Sequence, residues 1–263
     1  IEGSEECNIC LDACPMHNRI SEEGIGKILG VYNARAKDPD ILERCQDGGA
    51  CTAFLESLED FVSLGVTMRG GMPQPVIDAP RTFSGTKYGA TSSLSFITKG
   101  MRDLAFVGLP CQITGIELAR RKGLLTEVGL KVGLFCTSNF YHDSFNGVLE
   151  GRGIDVPGIR KLEIKSRLRV TQENGEVRAL PLSLFDDCVL DGCRTCLDFT
   201  SFYSDISFGS AGTKDGRTTV IVRSEEADKL FGEALRKGFI EADRKVDLKQ
   251  IMELQERKRR ENG

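Results

Sequence analysis

Two cysteines separated by two residues, Cys193 and Cys196, form the part of this sequence best suited to chemistry. A C-x-x-C pair places two thiols on one side of a tight turn, as a tetrahedral metal site or an iron–sulfur site requires. Both kinds of site commonly take four protein ligands, so this pair supplies only half of a set. The missing ligands must come from other elements of the fold.

Two further cysteines stand where predicted strands end. Buried-type strands and a helical pattern alternate at 103–109, 113–121 and 130–135. This spacing predicts a parallel pair of strands joined by a helical crossover. Cys111 and Cys136 follow the first and the second strand, so we expect both thiols at the sheet edge where α/β folds bind ligands. A lone buried cysteine is often only an apolar residue, but two thiols at one edge could complete the pair.

The first residues carry an incomplete iron–sulfur pattern. Cys7, Cys10 and Cys14, followed by Pro15, have the spacing C-x2-C-x3-C-P, which is the latter part of a bacterial ferredoxin run. Ser4 occupies the position of the missing first cysteine. The pattern predicts a truncated or degenerate ferredoxin-like segment, and a zinc-binding or unligated remnant is the alternative.

The composition is that of a globular protein, and the length predicts one large domain or one domain with a small appendage. The 263 residues are 40% hydrophobic and 28% charged, and the net charge of −4 disfavours a nucleic-acid partner. No apolar run approaches the roughly 18 residues of a spanning helix, so we expect no direct membrane insertion. No leader-like pattern follows Ile1, so we expect a cytoplasmic chain, whose only membrane association would be peripheral and through a complex.

The cysteine and histidine counts favour metal ligation over other thiol chemistry. The chain has ten cysteines and only two histidines. Disulfides are disfavoured without an export signal, and the isolated His17 and His142 leave little material for a Cys-His nucleophile or a Cys/His zinc site. Cys45, Cys51 and Cys188 are predicted to be packed thiols rather than ligands.

Two loops of small residues could hold a phosphate or a flavin. After a predicted first strand at 31–35, Gly48 and Gly49 open a predicted helix at 52–64, where free amide groups could hold an anion. Ordinary turns use paired glycines equally often. The second loop, 83–88, contains Lys87, which could face a phosphate or a flavin, although a plain helix-entry loop fits as well.

The second half of the chain begins with a predicted hairpin. Its strands are predicted at 165–172 and 177–182. Asn174 and Gly175 between them are a strong two-residue turn signal. Lys165, Arg167 and Arg169 alternate, which would place them on one face of the first strand, either as an anion-binding strip or as a solvated face.

The remaining pattern predicts strands and helices in alternation. A glycine-rich loop, a strand and a helix are predicted at 209–216, 218–222 and 225–237. Ser224 is the expected N-cap of that helix. The last helix begins at Leu248 and runs into the basic residues 257–260, for which a solvated tail is predicted.

These elements predict an α+β or α/β fold with a mixed sheet and flanking helices. Three parts are expected: a ferredoxin-like segment at 1–28, a main domain at 29–245, and a C-terminal helix with a basic tail at 246–263.

Short motifs distributed along the chain resemble those of the family of coenzyme F420 hydrogenase/dehydrogenase beta subunits, from Val31 to about Met252. The motifs are Gln46-Asp47-Gly48-Gly49, Met72-Pro73-Gln74-Pro75, Gly85-Thr86-Lys87-Tyr88, Pro110-Cys111-Gln112, Cys193-x-x-Cys196, and Ala211-Gly212-x-x-Asp215-Gly216 followed by Thr219-Val220-Ile221. With its ferredoxin-like segment, the chain looks most like the input subunit of F420H2 dehydrogenase, or the same module in F420-dependent sulfite reductases.

The resemblance implies a mixed-sheet domain that carries FAD, at least one 4Fe-4S cluster and a site for coenzyme F420. The implied cluster ligands are Cys111, Cys136, Cys193 and Cys196, with Cys7, Cys10 and Cys14 ligating iron in the N-terminal segment. The implied flavin loops are Gln46, Asp47, Gly48 and Gly49, and Gly85, Thr86, Lys87 and Tyr88. Lys165 and Arg167 would lie near a phosphate or the acidic tail of the coenzyme.

The implied activity is that of an oxidoreductase subunit in archaeal-type, methanogenesis-related energy metabolism. Reduced coenzyme F420 gives up a hydride, whereas an iron–sulfur cluster accepts one electron at a time, so a flavin would have to stand between them. Electrons would then pass to the other subunits of an electron-transfer complex. No catalytic residue beyond the flavin is implied.

Some features depart from the family, and two other functions fit the same residues. Arg217, after Asp215-Gly216, and Leu168 stand where the family usually has aromatic residues, which implies an altered or weaker coenzyme site. The connections at 65–71 and 80–86 are shorter than a strand and its link require. The alternative functions are a ferredoxin-dependent flavin and iron–sulfur reductase of an organic substrate, and a zinc-stabilised interaction module.

Overall fold

The structure, a computed structural model, describes residues 9–18 and 23–263. Its strands are β1 (Gly30–Ala36), β2 (Val62–Arg69), β3 (Met72–Ile77), β4 (Leu104–Gly108), β5 (Val128–Leu134), β6 (Ile159–Ile164), β7 (Leu168–Gln172), β8 (Val177–Leu180), β9 (Ile206–Gly209), β10 (Thr218–Val222) and β11 (Ile240–Asp243). Its helices are α1 (Ile9–Asp12), α2 (Pro39–Arg44), α3 (Ala50–Glu56), α4 (Pro110–Arg121), α5 (His142–Glu150), α6 (Glu225–Arg236) and α7 (Leu248–Asn262), with 3₁₀ turns at Pro80–Phe83, Ser93–Phe96, Leu182–Cys188 and Asp191–Thr195. Among these residues, no helix is long and apolar enough to cross a membrane.

An eight-stranded mixed sheet forms the centre of the molecule, in the order β11-β1-β10-β9-β5-β4-β2-β3. The four strands β2, β4, β5 and β9 are parallel, and the pairs at both ends of the sheet are antiparallel. The mixed sheet with flanking helices is therefore confirmed. The predicted parallel pair at 103–109 and 130–135 corresponds to β4 and β5, which are joined through α4.

Helices pack on both faces of this sheet because successive residues of a buried strand point to opposite sides. In β4, Val107 belongs to the apolar cluster that contains Phe54 of α3 and Phe231 of α6. Its neighbour Phe106 belongs to the cluster that contains Ile113 of α4. Each fully buried side chain of this size stabilises the fold by about 1.5–3 kcal/mol.

A second, three-stranded antiparallel sheet is built from β6, β7 and β8. Its inner face packs through Leu168 and Val170 against Phe145 of α5 and Phe185. The predicted turn is present, because Gly175 has a positive φ of 84° and the Asn174 side chain accepts a hydrogen bond from the Glu176 amide at 2.9 Å.

The predicted helix at 52–64 is wrong in its second half. Helix α3 ends at Glu56, and β2 begins at Val62 and pairs in parallel with β4. Gly70 and Gly71, both with positive φ, then turn the chain into β3. The connection at 65–71 looked too short because the strand begins before Gly65. The apolar run fits a helix or a strand locally, and pairing with β4 decides between them.

The predicted hairpin strand from Lys165 is also wrong at its start. β6 ends at Ile164, and the Lys165 amide donates to the Arg167 carbonyl at 3.2 Å, so these two residues form the turn between β6 and β7. Only Arg169 lies in a strand. The three basic side chains therefore do not form one strip along a strand.

The predicted solvated tail after Leu248 is wrong for one residue of the basic run. Arg257 and Arg260 are exposed, but Lys258 is only 4% exposed and Arg259 is half-buried. Helix α7 packs along the main domain through Ile251, which is fully buried. The physical reason is that Lys258 lies on the same helical face as Ile251, seven residues further on.

Candidate functional site

The four cysteines that the motifs single out are carried to one edge of the large sheet. Cys111 is the second residue of α4, directly after β4, and Cys136 is the second residue after β5. These strand ends are adjacent because Gly108 and Gly133 are paired in the sheet register. Cys193 lies in the 3₁₀ turn Asp191–Thr195, and Cys196 follows that turn.

Backbone hydrogen bonds hold the cysteine turn against the loop after β5. The Leu190 amide donates to the Asn139 carbonyl at 3.0 Å, and the Cys136 amide donates to the Phe199 carbonyl at 2.9 Å. The Asn139 amide donates to Sγ of Cys193 at 3.2 Å. Segments separated by more than 50 residues in sequence are thereby joined on both sides of the Cys193–Cys196 turn.

Burial raises the pKa of the Cys111, Cys136 and Cys193 thiols, and charges of other cysteines of the set act on each of them. Burial, followed by the charges of Cys196 and Cys193, raises the pKa of Cys111 to about 12. Burial also raises the pKa of Cys136 and of Cys193, and the charges of other cysteines of the set raise both further. Thiols bind iron or zinc as thiolates, so occupation of this site would release their protons.

The residue types of this site fit iron or zinc chemistry, because cysteine thiolates are protein ligands of both. Within the described residues, no three Cys, His, Asp or Glu side chains converge closely enough to hold one ion. A zinc ion needs its sulfur ligands at about 2.3 Å from one centre. Four cysteines match the donor types of a 4Fe-4S cluster, which takes one thiolate at each of four irons.

The N-terminal segment lies against this site. Pro15 and Met16 line one cavity together with Cys111 and Cys196. The segment is held by an ion pair between Asp12 and Lys122, the residue after α4, whose Oδ2 and Nζ atoms are 2.5 Å apart. Of the predicted N-terminal ligands, Cys14 is half-buried, whereas Cys7 and the side chain of Cys10 lie outside the described residues, so the ferredoxin-like segment stays a prediction.

Side chains of helix α7 form hydrogen bonds with the backbone around Cys193 and Cys196. Asn262 Nδ2 donates to the carbonyls of Cys193 and Cys196, at 2.9 Å each. Gln255 Nε2 donates to the Leu197 carbonyl at 2.6 Å, and its Oε1 accepts from the Phe199 amide at 2.8 Å.

Between these two residues of α7, Lys258 Nζ donates to the carbonyls of Cys136 and Asp198 at 2.7 and 2.8 Å. Burial alone lowers the pKa of Lys258, but the charges of Cys136, Cys196 and Asp198 raise it by more, so the net shift is upward. Sequence reasoning missed this residue. The available signal was its spacing from Ile251 and Gln255, which puts all three on one helical face.

A buried arginine supports the chain just after the cysteine pair. Arg223, 4% exposed, donates to the Thr200 carbonyl at 3.0 Å, to the Ile25 carbonyl at 3.1 Å and to Ser207 Oγ at 2.6 Å. Burial lowers the pKa of Arg223 to about 10, although Asp198 opposes the shift. The guanidinium therefore stays charged at neutral pH and ties residues 198–207 to the end of β10.

The backbone conformation and packing explain the two glycines of the first predicted flavin loop. A Cβ on Gly48 would lie 2.7 Å from the Ala34 carbonyl oxygen, and Gly49 caps α3 with a positive φ of 65°. The helix after them has only seven residues, which is too short to make a strong anion site.

Asp47 beside these glycines carries an unsatisfied atom. Its side chain is 9% exposed, and Oδ2 has no hydrogen-bond partner among the described residues. Burial raises the pKa of Asp47, while Lys165 lowers it in part. A buried carboxylate oxygen without a partner is costly and points to a missing hydrogen-bond donor.

The side chains of the second predicted flavin loop are already engaged. Lys87 Nζ donates to the carbonyls of Phe83, Ser84 and Gly85 at 2.5, 2.7 and 2.8 Å. The Tyr88 hydroxyl accepts from the Ile164 amide at 3.1 Å. These contacts shape the loop, and its backbone remains the part that could face a ligand.

We expect Lys87→Met to destabilise the loop because three carbonyls would lose their donor. The cost should be about 1–3 kcal/mol of unfolding free energy, measured by urea denaturation. Lys99→Met, at an exposed position, is the control and should change little. Equal stability of both variants would contradict the role of Lys87 in holding the loop.

Lys165 connects the loops around the candidate flavin position. Its Nζ lies 2.5 Å from Asp215 Oδ1 and 3.8 Å from Asp47 Oδ1. Burial alone lowers the pKa of Lys165, but Asp215 and Asp47 raise it by more. Arg167 is exposed in the same turn. The turn therefore lies beside the loop that contains Asp47 and the loop that contains Asp215.

The two departures from the family pattern have different structural settings. Leu168 is fully buried in the core of the small sheet. Arg217 forms an ion pair with Glu241, with Nη1 and Oε1 3.2 Å apart, and lies next to the loop that carries Asp215. Of the predicted packed thiols, Cys45 and Cys188 are buried and Cys51 is half-buried.

Comparison with known proteins identifies the family. Residues 101–247 match the family model for the C terminus of the "Coenzyme F420 hydrogenase/dehydrogenase, beta subunit". An uncharacterized protein of Methanocaldococcus jannaschii is 32% identical, over 82% of this chain and 88% of its own length. One of the subunits of F(420)H(2) dehydrogenase from Methanosarcina mazei is 29% identical, over 98% of this chain and 78% of its own length.

A solved structure agrees in fold. A chain in the F420-reducing NiFe hydrogenase complex from Methanosarcina barkeri superposes with a TM-score of 0.83 at 27% identity, covering 92% of both chains. The chain described here therefore belongs to the family of coenzyme F420 hydrogenase/dehydrogenase beta subunits, which are parts of oxidoreductases, and this confirms the resemblance that its motifs indicate.

Proposed function

We propose that this chain is a flavin and iron–sulfur subunit that exchanges a hydride with coenzyme F420 through FAD and passes single electrons to a 4Fe-4S cluster and partner subunits. The observation that carries the proposal is that Cys111, Cys136, Cys193 and Cys196 lie near one another at one end of the central sheet in a member of this family. When bound, FAD and the cluster supply the conversion from two-electron to one-electron transfer.

Different residues of the chain would bind the cluster and the flavin. Four thiolates from three segments would ligate the cluster. The flavin would lie between the loops 46–49 and 85–88. The orphaned Oδ2 of Asp47 supports this position, because a flavin offers N–H and hydroxyl donors that the described protein residues do not.

The turn between β6 and β7 is the proposed binding site for coenzyme F420. Lys165 and Arg167 are exposed there, next to the loop that carries Asp215. Arg167 makes no ion pair within the described part of the chain, so its guanidinium is free to meet a phosphate or carboxylate. Arg217 in place of an aromatic residue removes one stacking surface, so electrostatic contacts would carry more of the binding.

The N-terminal segment is the proposed exit for electrons. Pro15 and Met16 share a cavity with Cys111 and Cys196, so Cys14 is carried to the edge of the four-cysteine site. An iron–sulfur group ligated by Cys7, Cys10 and Cys14 would receive electrons there. Relatives named as hydrogenase and dehydrogenase subunits support further subunits as the acceptors.

Asp47→Asn should weaken FAD binding about tenfold, which corresponds to about 1.4 kcal/mol. The physical reason is that the buried carboxylate would be replaced by a neutral amide whose NH₂ group can face the ligand donor. Titration of the flavin-free protein with FAD measures the change. Asp60→Asn, at an exposed position, is the matched control, and identical FAD affinities of the two variants would place the flavin elsewhere.

The experiment that tests the function is a visible absorption spectrum of anaerobically purified chain before and after reduced coenzyme F420 is added. We expect FAD, iron and acid-labile sulfide, with rapid bleaching of the flavin. A chain with neither FAD nor sulfide would overturn the proposal. Reduction by ferredoxin alone would favour the organic-substrate reductase, and stoichiometric zinc without iron would favour the interaction module.

A further inference from the structure

A positively charged side chain is buried beside the four cysteines. Lys258, in α7, is 4% exposed, and its ammonium donates to the carbonyls of Cys136 and Asp198. Burial lowers the pKa of Lys258, but the charge of Cys196 also acts on this ammonium and raises it. Two of its three N–H donors are therefore directed at the two segments that carry the thiols.

The negative charges that act on this buried ammonium are those of Cys136, Cys196 and Asp198. Within the described residues, Lys258 makes no ion pair with Asp or Glu, and its two backbone acceptors are neutral. The neighbouring carboxylate, Asp198, uses its own oxygens to accept the amides of Thr200 and Phe202 and also faces Arg223. Burying an ammonium costs several kcal/mol unless negative charge is close by. Thiolates at the cysteine site would supply that charge.

The position of the ammonium is held rigidly. Gln255 and Asn262, three residues before and four residues after Lys258 in α7, bind the backbone of residues 193–199 on either side of it. The helix therefore cannot carry the ammonium away without breaking these hydrogen bonds. A fixed charge in a poorly solvated site acts more strongly on its neighbours than an exposed one.

We propose that the Lys258 ammonium is the buried counter-charge of the four-thiolate site and raises the reduction potential of the iron–sulfur group bound there. This inference rests on the proposed function. Uptake of one electron, delivered from the flavin, adds one negative charge to the group. A nearby fixed positive charge stabilises that added charge. Lys258 is a positioning residue in this account, since it touches the ligands and not the substrate.

The test is a redox titration of the whole chain followed by electron paramagnetic resonance, with iron and sulfide measured on the same samples. Lys258→Met and Lys258→Gln remove the charge, and the second keeps a hydrogen-bond donor. Both should make reduction about tenfold less favourable, which is a fall of about 59 mV for a one-electron couple. Lys258→Arg keeps the charge and should stay near the wild-type potential.

Lys249→Met removes the same charge from the exposed start of α7 and should leave the potential unchanged. If the neutral variants lose the cluster while Lys258→Arg retains it, the counter-charge is again supported. Wild-type potentials in Lys258→Met or Lys258→Gln, or equal changes in all three Lys258 variants, would overturn the inference. A wild-type chain without iron and sulfide would instead refute the proposed function.

Discussion

Replacing Cys193 or Cys111 by serine should remove most of the iron and acid-labile sulfide from the purified chain. The two residues come from different parts of the sequence, one from the C-x-x-C turn and one from the first turn of α4. A serine hydroxyl stays protonated where a thiolate would bind, and its oxygen is a poor match for iron in a cluster. Iron and sulfide assays, with the visible spectrum, measure the loss.

Cys188→Ser is the matched control for these variants. Cys188 is five residues before Cys193, but it is 3% exposed and packs in the apolar core of the small sheet. We expect nearly normal iron content, with a stability loss of about 1–3 kcal/mol because a hydroxyl replaces a buried thiol. Equal loss of iron from all three variants would contradict the ligand assignment.

Arg223→Met should cost about 3–5 kcal/mol of unfolding free energy, because a buried charge with several partners is removed and those partners stay buried. The carbonyls of Ile25 and Thr200 and the hydroxyl of Ser207 would lose a donor, and Asp198 would lose a neighbouring positive charge. For a chain of this size the melting temperature should fall by on the order of 10 °C. Thermal unfolding followed by circular dichroism measures it.

Arg257→Met removes the same charge at an exposed position, where the guanidinium meets only Glu261, with Nε and Oε1 3.8 Å apart. Exposed pairs of this kind contribute about 0–1 kcal/mol, so the melting temperature should hardly change. Similar melting temperatures of the two variants would show that the Arg223 contacts do not stabilise the fold. The iron content of Arg223→Met should also fall, because residues 198–207 follow the cysteine turn.

Much of the fold follows from local patterns. The runs that became β4, β5 and β10 are apolar and bounded by breakers, and Ser224 caps α6 by accepting from the Ala227 amide at 3.2 Å. The prediction failed at 52–64, because apolar residues continue from α3 into β2. Sequence periodicity cannot separate two short elements of this kind, and the parallel pairing of β2 with β4 decides where the strand begins.

The sequence by itself determined the family and the mixed sheet, and it predicts the four cysteines as ligands, because short motifs, strand ends and C-x-x-C spacing are local properties. Only the tertiary structure decided that Lys258 is buried beside them and that Asp47 holds an unpartnered oxygen. The Lys258 ammonium binds carbonyls 122 and 60 residues away in sequence. No local pattern encodes such contacts, since a basic run is favourable in water and becomes buried only when distant segments supply acceptors and charge.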